Sequence, residues 1–229
     1  MTTTVLSLGG SIIAPDKPDK EFLSAFYEAV SAWLDQNRDQ RIILVCGGGA
    51  PARDYQEALR AVRPDAGADS QDWLGIRATH LNGALVRAIF SAYVTDELVT
   101  APLDEDISFS GQVLVAAGWK PGFSTDTDAV YLARRFGAKT VINLSNIEKV
   151  YTDDPRKNPD ARPVDHISWD DFIGIVGTQW TPGRSTPFDP VASALARESG
   201  MSVICAGGRN IANTMAILNG REYTGTTIG

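Results

Sequence analysis

Short apolar runs and amphipathic stretches alternate along the chain. Short, largely apolar runs at residues 4–8, 41–46 and 141–144 predict strands, and the run at 41–46 is of the uninterrupted kind that is typical of a parallel sheet covered on both faces. Between these runs, apolar residues recur at helical spacing, most clearly at 20–35 and 72–93. Strands that alternate with helices predict an α/β protein in which a mostly parallel central sheet lies between helical layers.

Weaker patterns complete this alternation. Pro51 stands where proline is tolerated, in the first turn of a helix predicted to run to about residue 62. The polar stretch 63–71 is rich in Asp, Gly, Pro and Ala and predicts a surface loop. Ser168, with Asp171 three residues later, predicts a short capped helix. The other predicted elements are a strand at 112–117, a helix that ends near Gly137, a helix at 187–199, a strand at 203–206 and a helix at 210–219.

Length and composition fit one globular domain of 229 residues, which we expect to have two lobes, about 1–137 and 138–229. The net charge of −7 argues against a nucleic acid or an anionic membrane as partner, since either normally requires a basic face. No apolar run approaches the ~20 residues that span a bilayer, and we predict a cytoplasmic protein. Cys46 and Cys205 each end an apolar run, which predicts buried thiols rather than a disulfide or a metal site.

A triple glycine, Gly47-Gly48-Gly49, follows the apolar run at 41–46 and precedes a helical pattern. Residues without Cβ atoms let backbone approach a ligand closely, and the amides at the start of a helix carry partial positive charge. This arrangement is suited to phosphate binding, although tight strand-to-helix turns also use glycine for steric reasons alone. A second such turn, Gly9-Gly10-Ser11, follows the first apolar run.

The turns that follow residues 8, 46, 117 and 144 are expected to meet, because the carboxyl ends of parallel strands share one edge of the sheet. Together they supply hydroxyls, cations and carboxylates, which phosphoryl transfer requires. These groups belong to Ser11, Ser124, Thr125, Thr127, Arg53, Lys120, Lys157, Asp126, Asp128 and Asp154.

Structural roles are also open for these residues. Ser124 and Thr125 suit a helix cap, Asp126 and Asp72 suit helix termini, and Arg53 and Lys157 suit a solvated surface. His80 and His166 have no metal-ligand neighbours in sequence, which favours structural roles. P-loop and protein-kinase motifs are absent from the sequence, which excludes those solutions as far as motifs can. A G-x-G-x-x-G motif is also absent, which weakens a dinucleotide-binding interpretation.

Seven blocks, in order and reaching both ends of the chain, resemble the amino acid kinase superfamily, most closely its archaeal-type UMP kinases. The blocks are Leu8-Gly9-Gly10-Ser11, Gly47-Gly48-Gly49-Ala50-Pro51-Ala52-Arg53, Asp72-Trp73-Leu74-Gly75-Ile76, Pro121-Gly122-Phe123-Ser124-Thr125-Asp126, Ser145-Asn146-Ile147 with Val150-Tyr151-Thr152-Asp153-Asp154-Pro155, Phe188-Asp189-Pro190, and Gly225-Thr226-Thr227-Ile228.

The resemblance implies a three-layer αβα sandwich, with an N-terminal lobe for the phosphoryl acceptor, a C-terminal lobe for ATP, and assembly as a homohexamer. It implies ATP and Mg²⁺ as cofactors, and UMP as the small-molecule acceptor in pyrimidine biosynthesis. It implies no protein ligand set for a metal. The implied ATP-binding residues are Ser7, Leu8, Gly9, Gly10, Ser11, Gly49, Arg53, Ser145, Tyr151 and Asp154. The implied acceptor-binding residues are Gly48, Asp72, Trp119, Lys120, Pro121, Gly122, Phe123, Ser124 and Thr125.

Lys120 and Arg53 are the predicted sources of charge stabilisation, and Asp126 is predicted to organise metal-bound waters or the glycine-rich turns. Three departures from the family pattern bear on the acceptor and the mechanism. Ser7 replaces a lysine that many relatives carry, Trp119 replaces a threonine that reads uracil in UMP kinases, and Glu148-Lys149 replaces an Asp-Gly pair. The first leaves open a nucleotide-binding or storage protein without turnover, and the second leaves open a kinase for a different phosphomonoester.

Overall fold

The computed structural model describes residues 1–155, 157–178 and 186–229. Within them each predicted strand and helix is present, with differences at its ends, and further short elements occur between them. The strands are β1 (Thr2–Leu8), β2 (Gln40–Cys46), β3 (Val113–Ala116), β4 (Thr140–Ser145), β5 (Val150–Tyr151), β6 (Pro163–Val164), β7 (His166–Ile167), β8 (Ser202–Gly207) and β9 (Thr226–Ile228). The helices are α1 (Gly10–Ile13), α2 (Lys20–Gln36), α3 (Gly49–Val62), α4 (Ala68–Ile89), α5 (Thr125–Arg135), α6 (Trp169–Val176), α7 (Pro190–Glu198) and α8 (Ile211–Leu218).

Seven strands form the central sheet in the order β3-β2-β1-β4-β8-β9-β7. The strands from β3 to β8 pair in parallel, and β9 is antiparallel to β8. β1 belongs to the predicted N-terminal lobe and β4 to the C-terminal lobe, yet the two strands pair directly, with Val5 opposite Val141. The lobe boundary predicted near residue 137 would therefore divide one continuous sheet.

Alternate residues of each strand face opposite helical layers, as the two-residue period of a strand requires. Val5 and Ile43 pack on the side of α5, α6 and α7, whereas Leu6 and Leu44 pack on the side of α1, α2, α4 and α8. Both faces are thus covered by helices, which explains the uninterrupted apolar runs in the sequence. The predicted three-layer αβα sandwich with a mostly parallel sheet is confirmed.

Side-chain caps set several helix starts. Ser168 Oγ accepts a hydrogen bond from the Asp171 amide at 3.2 Å, which confirms the predicted cap of α6. Asp189 Oδ1 accepts from the Ala192 amide at 2.8 Å, so α7 begins at Pro190 rather than at residue 187. At the other end of α5, Gly137 follows the last turn with a φ of 69°, a left-handed conformation that suits glycine.

The loop predicted at 63–71 is wrong over its last four residues, because α4 begins at Ala68. Side chains of α3 hold this first turn: Gln56 Nε2 donates to the Gln71 carbonyl at 2.9 Å, and Arg60 donates to the Gln71 side chain at 2.8 Å. The local composition favours a loop, and the contacts with α3 reverse that preference. Asp72 consequently lies inside α4 rather than at its start.

The short strands β5, β6, β7 and β9 have no counterpart among the predicted elements. Two or three residues are too few to show a hydrophobic period, and their pairing depends on partners distant in sequence. Cys46 and Cys205 are buried free thiols, as predicted. Among the described helices, none combines the length and apolar character needed to cross a membrane.

Candidate active site

The turns at the carboxyl ends of β1, β2 and β4 meet, as the sequence predicts. The Gly47 amide donates to the Leu8 carbonyl at 2.9 Å, and the Gly9 amide donates to the Leu144 carbonyl at 2.8 Å. The Gly208 amide, after β8, donates to the Ser145 carbonyl at 2.8 Å. Four strand ends are therefore joined by backbone hydrogen bonds along one edge of the sheet.

We call residues 9–11 and 47–49 the glycine turns, and their backbones pack directly against each other. A Cβ atom on Gly10 would lie 1.9 Å from the Gly49 nitrogen, and one on Gly47 would lie 2.5 Å from the Gly10 nitrogen. Gly49 also has a φ of 70°, which side chains disfavour. The steric role of these glycines is therefore real and exists beside any role in phosphate binding.

Asn82 of α4 supports the second glycine turn. Its buried side-chain amide donates to the carbonyls of Gly47 and Gly48 at 2.7 and 3.1 Å. Asn82 thereby fixes the direction of two successive backbone carbonyls in this turn. Sequence reasoning missed Asn82, because the asparagine is one of several polar residues in a long helix and no pattern marks its direction.

Asp126 joins three elements of the site. Its Oδ1 accepts a hydrogen bond from Ser7 Oγ in β1 at 3.1 Å, and its Oδ2 accepts from the Asp189 amide at the start of α7 at 3.1 Å. Burial and the charge of Asp189 raise the pKa of Asp126 to about 7, although these two hydrogen bonds oppose the shift. Asp126 thus carries a carboxyl group that changes protonation near neutral pH and that touches the residue standing in place of the family lysine.

Two further carboxylates lie near Asp126. Asp189 accepts hydrogen bonds from its own helix and from Thr127 Oγ1 at 3.4 Å, and burial raises its pKa. Asp128 has no exposed surface. Burial raises the pKa of Asp128 to about 7, with the charge of Asp126 adding to the rise and the hydrogen bond from the Trp119 amide opposing it. Perturbed carboxyl groups of this kind cluster at functional sites.

Residues 118–123, which we call the Trp119 segment, follow β3 and are held by α4. The Gly118 amide donates to Thr79 Oγ1 at 2.8 Å, and His80 Nε2 lies 2.8 Å from the Gly118 carbonyl oxygen. The Gly122 amide donates to Asp72 Oδ2 at 3.1 Å. His80 therefore has the structural role that was expected, while Thr79 was missed because threonine on a helix gives no signal of its partner.

Lys120 rests on aromatic rings of its own segment. Its ammonium nitrogen lies 3.8 Å from the centroid of the Trp119 ring and 5.1 Å from that of Phe123. The two rings are 5.0 Å apart and tilted by 52°. A cation over an indole face is attracted by the ring quadrupole, so Lys120 is held on the indole face while remaining exposed to solvent.

Arg53 lies in α3, one turn beyond the triple glycine. Its closest polar contact is from Nη2 to the Pro15 carbonyl at 3.5 Å, and its side chain is exposed. Within the described residues, neither Arg53 nor Lys120 forms an ion pair. Both predicted cations are therefore available to an anion.

Ser124 caps α5 by accepting a hydrogen bond from the Thr127 amide at 3.2 Å. The capping role considered for Ser124 is thus confirmed, and it directs the first turn of α5 toward the Trp119 segment. Thr125 is the first residue of α5. Pro121 and Phe123 lie between the tether at Gly118 and the cap at Ser124.

The residues predicted to bind adenosine lie at the end of β4 and in the segment that follows it. Ser145 Oγ accepts from the Ile147 amide at 3.1 Å, and Tyr151 is part of the hairpin of β5 and β6. Thr226 of β9 anchors this hairpin, with Oγ1 accepting from the Val150 amide at 2.8 Å and donating to the Val164 carbonyl at 2.5 Å. Asp154 follows the hairpin strand and is partly buried, whereas Lys157 is exposed.

Some predicted residues are not joined by contacts. In the described part of the chain, no hydrogen bond links Tyr151 to the glycine turns or to the Trp119 segment. Ser7 and Leu8 are buried, and the hydroxyl of Ser7 donates its hydrogen bond to Asp126. Among the residues described, no group of three His, Cys, Asp or Glu side chains is placed to hold a metal ion.

Comparison with known proteins identifies relatives along the whole chain. The model of the amino acid kinase family matches residues 2–207. Uridylate kinase from Pyrococcus abyssi is 33% identical over 227 residues, covering 98% of both chains. Uridylate kinase from Pyrobaculum neutrophilum is 35% identical over 227 residues, again covering 98% of both.

Solved structures agree with these matches. The crystal structure of uridylate kinase from Archaeoglobus fulgidus has a TM-score of 0.82 at 28% identity and covers all of both chains. The crystal structure of UMP kinase from Ureaplasma parvum has a TM-score of 0.77 at 17% identity, covering 100% of this chain and 98% of that one. The second likeness is one of fold.

Proposed function

The chain belongs to the amino acid kinase family, and from that premise we propose that it transfers the γ-phosphoryl group of ATP to the phosphate of UMP, giving UDP and ADP. The relatives named uridylate kinase cover nearly the whole chain, which supports this reaction. The observation that carries it is the meeting of the glycine turns with each other and with the end of β4, next to the contact between Ser7 of β1 and Asp126 of α5. The backbone amides of these turns, the Asp126 carboxyl group and the cations Arg53 and Lys120 would serve phosphoryl transfer at this edge of the sheet.

The ATP phosphates would bind at the glycine turns. Gly9, Gly10 and Gly49 bring backbone close to this edge, and Ser11 and Arg53 add a hydroxyl and a cation. Ser7 would act through Asp126 rather than by touching phosphate, since its hydroxyl is already directed to that carboxylate. The adenosine part would lie near Ser145, Tyr151 and Asp154 of the proposed C-terminal lobe.

The acceptor would bind between α4 and the Trp119 segment. Asp72 uses Oδ2 to hold the Gly122 amide, and within the described residues its Oδ1 has no hydrogen bond, so Oδ1 would be free to accept one from a ribose hydroxyl. Gly48, which abuts Gly75 of α4, would border the acceptor phosphate. Ser124 and Thr125 would add amide and hydroxyl donors at the start of α5.

Catalysis would depend on alignment and on charge stabilisation, without a covalent intermediate. Lys120 and Arg53 would neutralise the charge that develops on the transferred group. Magnesium, when bound, would supply further charge neutralisation at the phosphates. Asp126 in its ionised form would accept hydrogen bonds from magnesium-bound waters, since its contact with Ser7 lies two residues before the first glycine turn. Hexameric assembly, a part in pyrimidine biosynthesis and a cytoplasmic location stay predictions.

A kinase for a different phosphomonoester is the second candidate. Lys120 covers one face of the Trp119 ring, and the ring of Phe123 packs against the Trp119 ring. A uracil ring would therefore stack on the other face of the indole or displace the lysine. A smaller acceptor without a base would need neither change.

A coupled assay of ADP release tests the proposal directly. With ATP and Mg²⁺ present, we expect UMP to stimulate ADP release more than CMP, dUMP, isopentenyl phosphate and other small phosphomonoesters. Stimulation by another member of this panel, with none by UMP, would support the second candidate. ATP binding in a calorimeter with no transfer to any acceptor would instead support a nucleotide-binding protein without turnover.

A further inference from the structure

Asp128 is a buried carboxyl group that neither the family resemblance nor the proposed reaction uses. It lies in the first turn of α5 with no exposed surface. Its Oδ2 accepts a hydrogen bond from the Trp119 amide at 3.2 Å. Its Oδ1 is buried and has no hydrogen-bond partner among the residues that the structure describes.

Such a group is expensive for a fold. A buried carboxyl oxygen without a partner loses its hydration and gains nothing in return, and the neighbouring charge of Asp126 adds repulsion. An apolar residue of similar volume would suit the interior of α5 better, since Ala129, Val130 and Leu132 around it are fully buried. Within the described residues, the hydrogen bond from the Trp119 amide is the only one that this carboxyl group accepts.

The hydrogen bond from Trp119 differs from the other tethers of the Trp119 segment. The tethers at Gly118 and Gly122 come from α4, whereas the one at Trp119 comes from α5. It acts at the residue whose ring carries the ammonium group of Lys120. The direction of the Trp119 backbone therefore sets where both the indole and the cation are presented.

We propose that Asp128 is a positioning residue of the acceptor site, which fixes the Trp119 amide and thereby places the Trp119 ring and Lys120 against the acceptor. This inference rests on the proposed function. Asp126 lies two residues earlier on the same helix and holds Ser7 next to the glycine turns. The first turn of α5 thus joins the acceptor side of the site to the ATP phosphate side, and Asp128 and Asp126 are its two contacts.

Two substitutions separate positioning from packing. Asp128→Ala removes the acceptor of the Trp119 hydrogen bond, whereas Asp128→Asn retains an oxygen that can accept it. We expect Asp128→Ala to raise the KM for UMP about tenfold, the effect of losing one hydrogen bond to a carboxyl group, and to lower kcat. The KM for ATP should change less than about twofold on the same scale. Asp128→Asn should recover most of the loss.

Asp96→Ala is the matched control. Asp96 is a partly buried carboxylate that accepts hydrogen bonds from Ser108 at 2.6 Å and from the Ser110 amide at 2.7 Å, away from the Trp119 segment. We expect its loss to lower Tm while the KM for UMP stays unchanged. A substrate-free readout is the emission of Trp119, isolated by subtracting the spectrum of Trp119→Phe, which should shift in Asp128→Ala and return in Asp128→Asn.

The outcomes are distinguishable. Unchanged constants for UMP in Asp128→Ala, or equal impairment in Asp128→Ala and Asp128→Asn, would overturn the role of Asp128 while the kinase activity stands. If Asp128→Ala does not fold, Asp128→Val fills the space without an acceptor and carries the same expectation. If the unaltered protein uses another phosphomonoester, the same comparison is made with that acceptor. If it uses none, both proposals fail.

Discussion

The glycine turns and the Trp119 segment lie at the same edge of the sheet, but they are held in different ways. The glycine turns are fixed mainly by backbone packed on backbone, with no space for a single Cβ atom at Gly10, and one side chain, Asn82, donates to the second turn. The Trp119 segment is fixed by side chains that reach it from α4 and α5. Changes at the turns should therefore damage the fold, whereas changes around Trp119 should alter the choice and alignment of the acceptor.

This difference fits the two halves of the proposed reaction. One donor, ATP, serves many kinases, and a site made of backbone amides suits a ligand that does not vary. An acceptor differs from one kinase to the next, and side chains can be exchanged without moving strands. The predictions below test this division, from the largest expected effect to the smallest.

Gly10→Ala should have the largest effect. Its Cβ would lie 1.9 Å from the Gly49 nitrogen, so the two turns must separate, and we expect a loss of more than about 3 kcal/mol in the free energy of unfolding together with loss of activity. Denaturant unfolding and the ADP-release assay measure both. Gly174→Ala is the control, since a Cβ there meets nothing within 4 Å and alanine favours a helix interior. A stable, active Gly10→Ala protein would refute the backbone account of the turns.

Lys120→Ala should remove the stabilisation that Lys120 gives to the charge on the transferred phosphoryl group, without disturbing the fold. Lys120 is exposed and makes no ion pair in the described residues, so we expect an unchanged Tm and a fall in kcat of about a hundredfold, with little effect on ATP binding measured by calorimetry. Lys139→Ala, at another exposed lysine, should leave kcat unchanged. An unaltered rate in Lys120→Ala would remove Lys120 from the mechanism.

Trp119→Ala should change recognition of the acceptor. Loss of the ring removes both the surface under Lys120 and a stacking partner, and we expect the KM for UMP to rise about five- to tenfold while that for ATP stays constant. Trp119→Phe keeps an aromatic face, so its KM for UMP should lie between those of the unaltered protein and Trp119→Ala. Equal increases in both constants would show that Trp119 supports the whole site rather than the acceptor alone.

Ser7→Ala should give the smallest effect. Ser7 is a buried residue of β1, two residues before the first glycine turn. The Ser7 hydrogen bond stabilises ionised Asp126 and opposes the rise of its pKa to about 7. Its loss should raise this pKa further, so the acidic limb of the kcat profile should move to higher pH by up to about one unit. Activity should fall near about pH 6.5, where Asp126 in the variant is mostly protonated, and be retained near about pH 8.5, which lies above the shifted pKa. A profile that does not move would mean that ionised Asp126 is not required.

Much of this molecule could be predicted because the signals are local or follow from topology. Hydrophobic period gave the main strands and helices, and parallel pairing placed the turns after residues 8, 46 and 144 together. Seven short blocks sufficed to predict the family, which the match over residues 2–207 confirms. The start of α4 at Ala68 was missed because contacts from α3, rather than local composition, stabilise that turn.

The sequence alone determined the order of the main strands and helices, the faces that they bury and the places where glycine is required, because each of these depends on the period of apolar residues or on the absence of a Cβ atom. Only the tertiary structure decided which side chain holds which turn. Thr79 reaches Gly118 and Ser7 reaches Asp126 across 39 and 119 residues of chain. Such contacts depend on how whole helices are rotated and displaced when they pack on the sheet, and the local pattern of a helix specifies its buried face but not the backbone atom that one polar side chain will meet.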